Sequence, residues 1–166
     1  TLDPGDRFSD GEEETPVTAA DYVFALQRVL NPDTGATSAK SFLSIQNAQQ
    51  VLAGTLEPES LGVRAISDTV LEITLSTPDD GLLAKLASAA AMPCNEEFFE
   101  STAGAYGLTL DNILGNGAFL ATSWSEANGL TLRRAGGNGL VNRVRLVPDD
   151  GTKTAAERIK AAIKAL

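Results

Sequence analysis

The acidic side chains near the start of the chain are the first candidates for metal binding or acid–base chemistry. Glu12-Glu13-Glu14 places three carboxylates in succession, but consecutive side chains on a turn point in different directions and do not converge on one ion. Asp6 and Asp10-Gly11 are spaced as ligands of a calcium-binding loop, but Phe8 at its third position and Val17 at its twelfth supply no oxygen. We therefore predict solvated surface charge here, with no catalytic residue and no metal site.

Residue types that most nucleophilic catalysis requires are missing. The 166 residues include no histidine, which removes Ser-His and Cys-His pairs, the commonest general base and the commonest zinc ligand. The single cysteine, Cys94, lies among small and apolar residues, so we predict a buried structural thiol. Gly115-Asn116-Gly117 and Gly136-Gly137-Asn138-Gly139 lack the Lys-Ser/Thr pair of a phosphate loop, so both are predicted turns. We predict no enzyme and no cofactor, although composition leaves a carboxylate-only glycosidase open.

The charge balance of the chain argues against two classes of partner. With 13 basic and 22 acidic residues, the formal net charge is −9 and the pI is near 4.4. Nucleic acids and anionic membrane surfaces attract basic proteins, so we predict no nucleic-acid partner. No apolar run approaches the roughly 18 residues of a transmembrane helix, so we predict no membrane insertion of this segment. Because the sequence opens at Thr1 without a signal peptide, we interpret it as a piece of a longer protein.

Positive charge is concentrated near the end of the chain. Four arginines lie on two predicted neighbouring strands: Arg133, Arg134, Arg143 and Arg145. Two interpretations stay open for them. They form salt bridges with the acidic first half, or they form a patch that binds the carboxylate end of a ligand or a partner.

The first element that positions these residues is a helix whose local signals agree. Ser9-Asp10-Gly11 predicts a turn. Thr18 is a natural N-cap, and Asp21 three residues later completes most of a capping box. One apolar stripe follows at helical spacing: Val23, Leu26, Val29 and Leu30. Asn31-Pro32 ends the helix, because the residue before a proline is excluded from the α region.

The pattern changes from helices to strands along the chain. Helical periodicity covers residues 36–54, a β-hairpin is predicted over residues 61–76, and short helices follow near Pro78 and at the N-cap Asn95. Strands are predicted over residues 119–124, 130–134 and 140–147, with Asn128-Gly129 as a hairpin turn, before an amphipathic helix over residues 153–166. We therefore predict an α+β fold: a helix-rich part over residues 1–115, then antiparallel strands and a terminal helix over residues 116–166.

Five strings of the sequence match, in order, the pattern of one known family. They are Phe8-Ser9-Asp10-Gly11 with the helix from Pro16 to Arg28, the hairpin Leu61-Gly62-Val63-Arg64-Ala65 to Leu75, Met92-Pro93-Cys94-Asn95, Gly115-Asn116-Gly117-Ala118-Phe119 with Trp124, and Leu132-Arg133-Arg134. These strings resemble the family 5 extracellular solute-binding proteins, the oligopeptide- and dipeptide-binding components of ABC importers. The resemblance implies the accessory subdomain of a periplasmic-binding-protein type II-like fold. The parent protein would be an extracytoplasmic, lipid-anchored or periplasmic protein that presents peptides to a membrane permease.

The resemblance covers about a third of a family member, and this limits what it implies for the site. The family normally continues into N-x-Y-W where this chain has Ala135-Gly136-Gly137-Asn138-Gly139. Most ligand contacts of the family lie in parts that the resemblance does not cover. The candidates that remain are Asn116 and Gly117, with residues 36–42 as a second stretch near the family's cleft. This piece is therefore predicted to act mainly as a scaffold.

Several alternatives follow from the partial coverage. Relatives with the same signature bind nickel complexes or oligosaccharides instead of peptides, so the ligand stays open. A stand-alone, non-enzymatic interaction or scaffold module that reuses this subdomain is the second hypothesis. Since the predicted strands would pair with missing parts of the family fold, we also predict a homodimer of the fragment through open sheet edges.

Overall fold

The computed structural model describes residues 1–125, 129–136, 139–148, 151, 152, 154, 156, 157 and 160. Its helices are α1 (Ala19–Leu30), α2 (Ala48–Leu52), α3 (Leu82–Leu86) and α4 (Glu96–Ser101). Its strands are β1 (Arg7–Ser9), β2 (Glu14–Pro16), β3 (Val63–Ser67), β4 (Val70–Ile73), β5 (Phe119–Ser125), β6 (Gly129–Arg134) and β7 (Arg143–Leu146). All described strand pairs are antiparallel, and the last sheet, β5-β6-β7, lies in the final third. The predicted α+β class is confirmed.

The α1 helix is capped as its sequence predicts. The carboxylate of Asp21 accepts hydrogen bonds from the backbone N–H of Thr18 at 2.7 Å and from its hydroxyl at 2.8 Å. Asn31 leaves the helical conformation with ψ near 124°, and its side chain accepts from the N–H of Asp33. Leu26 and Leu30 on the predicted apolar stripe are almost fully buried. The helix therefore has a fixed beginning, a fixed end and one buried face.

The hydrophobic core forms around the buried face of α1. Its most buried members come from several segments: Leu26, Leu30, Phe42, Ile45, Ala48 and Val51. Leu61 and Val63 close it from the side of the β3-β4 hairpin. Because the largest buried side chains are aliphatic or phenylalanine, apolar burial stabilises this part of the chain. The core thus holds α1, α2 and the hairpin as one unit.

The helical periodicity of residues 36–54 is interrupted in the structure. A 3₁₀ turn covers Ala39–Phe42, and α2 begins only at Ala48. Between them, Ile45 forms an isolated antiparallel bridge with Leu75, and the N–H of Gln46 donates to the carbonyl of Thr74 at 2.9 Å. Pairing with the end of the β3-β4 hairpin therefore replaces the middle of the expected helix.

The β3-β4 hairpin itself follows the prediction for residues 61–76. Val63 pairs with Ile73 and Ala65 with Leu71, with a bulge before the turn. Leu71 and Ile73 are half-buried while Glu72 is exposed, as the period of two requires. The short helices also form: α3 follows Pro78, and the side chain of Asn95 caps α4 by accepting from the N–H of Phe98 at 2.8 Å.

A hairpin at the start of the chain was not predicted. The β1 and β2 strands pair from Arg7 with Pro16 to Ser9 with Glu14, around the acidic turn. Ser9 also forms a bridge with Gly115, in which the N–H of Ser9 donates to the Gly115 carbonyl at 2.8 Å. This long-range contact ties the beginning of the chain to the start of the last sheet.

The last sheet is regular, with β6 in the centre. Leu132 pairs with Ala121 on one side and Val144 on the other. Gly129 opens β6 with φ of +73°, and a Cβ at this position would overlap the carbonyl of Leu146. Asn128 of the predicted turn and most of the predicted helix over residues 153–166 lie outside the described residues. In the part that is described, no helix is long and apolar enough to cross a membrane.

Candidate functional site

Asn116 and Gly117 lie at the junction between the Ser9–Gly115 bridge and the last sheet. They follow the Ser9–Gly115 bridge directly and precede β5 by one residue. Asn116 is half-buried and Gly117 is exposed. The bridge fixes the backbone immediately before them, so the pair occupies a defined place beside the β1-β2 hairpin.

The acidic turn between β1 and β2 borders a surface cavity that β5 also lines. Asp10, Glu12 and Asp111 line a surface cavity of about 510 Å³ together with residues of β5. The carboxylate of Asp10 accepts from the backbone N–H groups of Glu13 and Glu12 at 2.9 and 2.8 Å, which lowers its pKa below the ordinary value. Asp10 thus uses its charge to close the turn. Within the described residues, no cluster of three or more acidic, cysteine or histidine side chains could hold a metal ion.

The second candidate stretch, residues 36–42, contributes mainly to the core. Ala39 is 2% exposed and Phe42 is fully buried, whereas Lys40 and Ser41 are exposed. The 3₁₀ turn packs against α1 and α3, so its apolar side chains are buried in these contacts. Among the described residues, this stretch and the Asn116-Gly117 pair do not form one site.

A cluster of aromatic rings around Arg28 is the feature that sequence reasoning missed. The guanidinium of Arg28 lies 4.4 Å from the ring centroid of Phe99 and 5.1 Å from that of Tyr106. The rings of Phe24 and Phe99 meet edge-on at 5.5 Å, and those of Phe99 and Tyr106 lie 5.3 Å apart. Phe24 and Arg28 lie on one face of α1 at i and i+4 spacing. This spacing is the one signal in the sequence that could have indicated that the two side chains are neighbours.

Cys94 lies beneath this cluster as a buried thiol, and the prediction of a buried structural cysteine is confirmed. Burial raises the pKa of Cys94, and the Nη1 of Arg28 donates to its Sγ at 3.8 Å. Burial also raises the pKa of Tyr106 to about 12. Both groups are therefore protonated at neutral pH, which leaves Cys94 without the thiolate that nucleophilic chemistry requires.

The arginines of the last sheet separate into different environments. Arg134 stacks over the ring of Phe119 at 4.7 Å, and its Nε donates to the carbonyl of Val141. Arg133 and Arg143 are exposed and lie directly opposite each other on β6 and β7. Ion pairs between described residues join Arg64 with Glu72 and Lys85 with Asp79, both within the first half. Among those residues, no salt bridge links Arg133, Arg134 or Arg143 to the acidic half.

Relatives in sequence match most of the chain. The model of the bacterial extracellular solute-binding proteins, family 5 Middle, matches residues 1–159. The periplasmic oligopeptide-binding protein OppA of Escherichia coli is 30% identical over 163 residues, covering 93% of this chain and 29% of the relative. The dipeptide-binding protein DppE of Bacillus subtilis is 28% identical over 135 residues, covering 81% of this chain and 24% of the relative. The chain therefore spans about a quarter to a third of their length.

Solved structures of related proteins contain the same fold. OppA of Burkholderia pseudomallei superposes with a TM-score of 0.85 at 27% identity, covering 98% of this chain and 32% of that structure. OppA of Listeria monocytogenes bound to peptide gives a TM-score of 0.80 at 29% identity, covering 98% of this chain and 32% of the other. The architecture is thus part of a type II-like solute-binding protein fold. The chain belongs to the family 5 bacterial extracellular solute-binding proteins.

Proposed function

We propose that the parent protein of this chain captures peptides outside the cytoplasmic membrane and delivers them to the permease of an ABC importer. The observation that carries this proposal is the superposition of nearly the whole chain on OppA structures, one of them bound to peptide. The parent would be periplasmic or lipid-anchored at the outer face of the membrane. It would act without catalysis, by closure of its lobes around the ligand, which shifts an open–closed equilibrium.

Within that parent, this chain would act mainly as a scaffold. Residues 1–115 would form the accessory subdomain. Residues 116–166 would form strands that return toward the first of the parent's two lobes, and a terminal helix. The core around Phe42 and the capped α1 support this role, because their side chains are used for packing. Asn116 and Gly117 are the residues proposed to approach ligand, since the Ser9–Gly115 bridge holds them at the junction.

The sheet edges support a further proposal about assembly. In the described sheet, β5 and β7 are edge strands, and Trp124 and Leu146 on them are 56% and 54% exposed. Open edges with exposed apolar side chains favour pairing between chains, so the fragment would form a homodimer. Light scattering at high concentration should give a dimer that Leu146→Lys disrupts. Leu140→Lys, at a fully exposed position outside the strands, should leave it intact. A wild-type monomer would overturn the proposal.

The functional assignment is tested by calorimetry on two proteins. Pentapeptides titrated into the full-length parent should bind with micromolar or tighter affinity, whereas the 166-residue chain alone should show no such binding. A chain that binds equally well contradicts the scaffold role. A parent that binds no peptide contradicts the peptide assignment. An open reading frame with neither a lipid-anchor motif nor a second lobe would instead favour the stand-alone interaction module.

A further inference from the structure

A cavity of about 470 Å³ opens on the face of the accessory subdomain where α1 and α4 meet. Phe24 and Arg28 of α1 form one wall, and Phe99 of α4 and Tyr106 form another. The rim carries carboxylates, including those of Asp33, Glu59 and Glu96. The volume suits a small ligand, because small-molecule sites occupy roughly 300–1,000 Å³.

The guanidinium of Arg28 is fixed in this cavity without an acidic partner. Two aromatic rings and the Sγ of Cys94 hold it in place. No carboxylate among the described residues lies within ion-pair distance of it, although residues 1–115 contain 18 acidic and only 5 basic side chains. A planar cation with free N–H donors pairs best with a carboxylate, which it can bind through two parallel hydrogen bonds.

The rim supplies the opposite charge. Asp33, Glu59 and Glu96 are exposed, and none of them forms an ion pair with another described residue. An ammonium group bound at the mouth would meet these carboxylates while its own carboxylate reached Arg28. Arg28 already covers the ring of Phe99, and the neighbouring ring of Phe24 offers an apolar wall to the ligand's side chain.

We propose that this cavity binds a free amino acid with an apolar or aromatic side chain, its carboxylate on Arg28 and its ammonium at the acidic rim. The site lies on α1 and α4 of the accessory subdomain, separate from the Asn116-Gly117 junction. It does not depend on the proposed capture of peptides by the parent. Its volume of about 470 Å³ is enough for a free amino acid.

The test is an NMR titration of the isotope-labelled chain with L-phenylalanine. Saturable shifts of amides at Arg28, Phe99 and Tyr106 are expected, with millimolar or tighter affinity. L-phenylalanine amide lacks the carboxylate and N-acetyl-L-phenylalanine lacks the ammonium, so each should bind at least tenfold more weakly. No saturable binding, shifts confined to other residues, or capped analogues that bind as well as the free amino acid would each overturn the proposal.

Two variants test which residues bind the carboxylate and the ammonium of the ligand. Arg28→Gln should weaken L-phenylalanine binding at least tenfold, and Arg7→Gln, at an exposed arginine on β1 that does not line the cavity, should leave it unchanged. If Arg28→Gln fails to fold, Glu59→Gln at the exposed rim tests the same site. It should weaken binding of the free amino acid but not of its N-acetyl analogue, and equal effects on both overturn the assignment. Peptide capture by the parent would be unaffected by these outcomes, so the two proposals fail separately.

Discussion

Replacement of Asp21 by alanine tests whether the capping interactions of α1 stabilise the folded protein. Asp21 is 7% exposed, and its Oδ2 accepts from both the N–H and the hydroxyl of Thr18. Its other oxygen faces the side-chain amide of Asn95 at 3.4 Å. Loss of a cap costs about 1 kcal/mol, and the half-buried N–H of Thr18 left without its partner adds about 1–3 kcal/mol. We therefore expect Asp21→Ala to lower the free energy of unfolding by about 2–4 kcal/mol.

Urea denaturation followed by far-UV circular dichroism measures this change, with the slope against urea expected to stay constant. Asp80→Ala is the matched control, because Asp80 is exposed and substitutions at such positions shift stability by less than about 0.5 kcal/mol. Asp21→Asn keeps the shape and one acceptor oxygen, so its loss should be smaller. If Asp21→Ala behaved like the control, the capping interactions would not hold α1 in place, and the structural explanation of the motif would be refuted.

Three further predictions concern packing and ionisation. Gly62→Ala should destabilise the folded protein by about 1–3 kcal/mol in thermal melts, because the new Cβ would lie 2.6 Å from the Cβ of Gln46. Gly115→Ala is the control, because the space around Gly115 is open. Lysine and serine partners hold the pKa of Asp79 below its usual value, so its stabilising effect is present above about pH 4 and is lost as the pH falls. Asp79→Asn should flatten the acid limb of the melting profile, and an unchanged limb would contradict this. Ultraviolet titration should place Tyr106 near pH 12, with the transition absent from Tyr106→Phe.

Local signals made α1 and the β3-β4 hairpin predictable. The N-cap, capping residue, apolar stripe and terminal proline of α1 all lie within 15 residues, so the sequence holds the information without tertiary context. The alternation of Leu71, Glu72 and Ile73 likewise reports one half-buried face. These elements form as expected because their determinants are close together in the chain.

The features that sequence reasoning missed depend on contacts between distant residues. The bridge between Ile45 and Leu75 divides an otherwise helical stretch, and the Ser9–Gly115 bridge supports a hairpin whose strands are only three residues each. The cavity over Arg28 needs α1 and α4 to pack together, which no spacing in either helix specifies. The order of the motifs was enough to predict that Asn116 and Gly117 precede the last sheet, but their proposed role depends on contacts with the rest of the proposed parent protein.

The central claim is that the parent of this chain carries peptides and that this part alone is scaffold. The most direct measurement is mass spectrometry of small molecules extracted from the full-length parent after purification without refolding, with the 166-residue chain purified in parallel. A mixture of peptides is expected from the parent. No peptide is expected from the chain, because it acts as scaffold, and weakly bound single amino acids are lost during purification. Peptides retained by the chain alone, or a parent that yields an oligosaccharide, a nickel complex or no ligand, would contradict it.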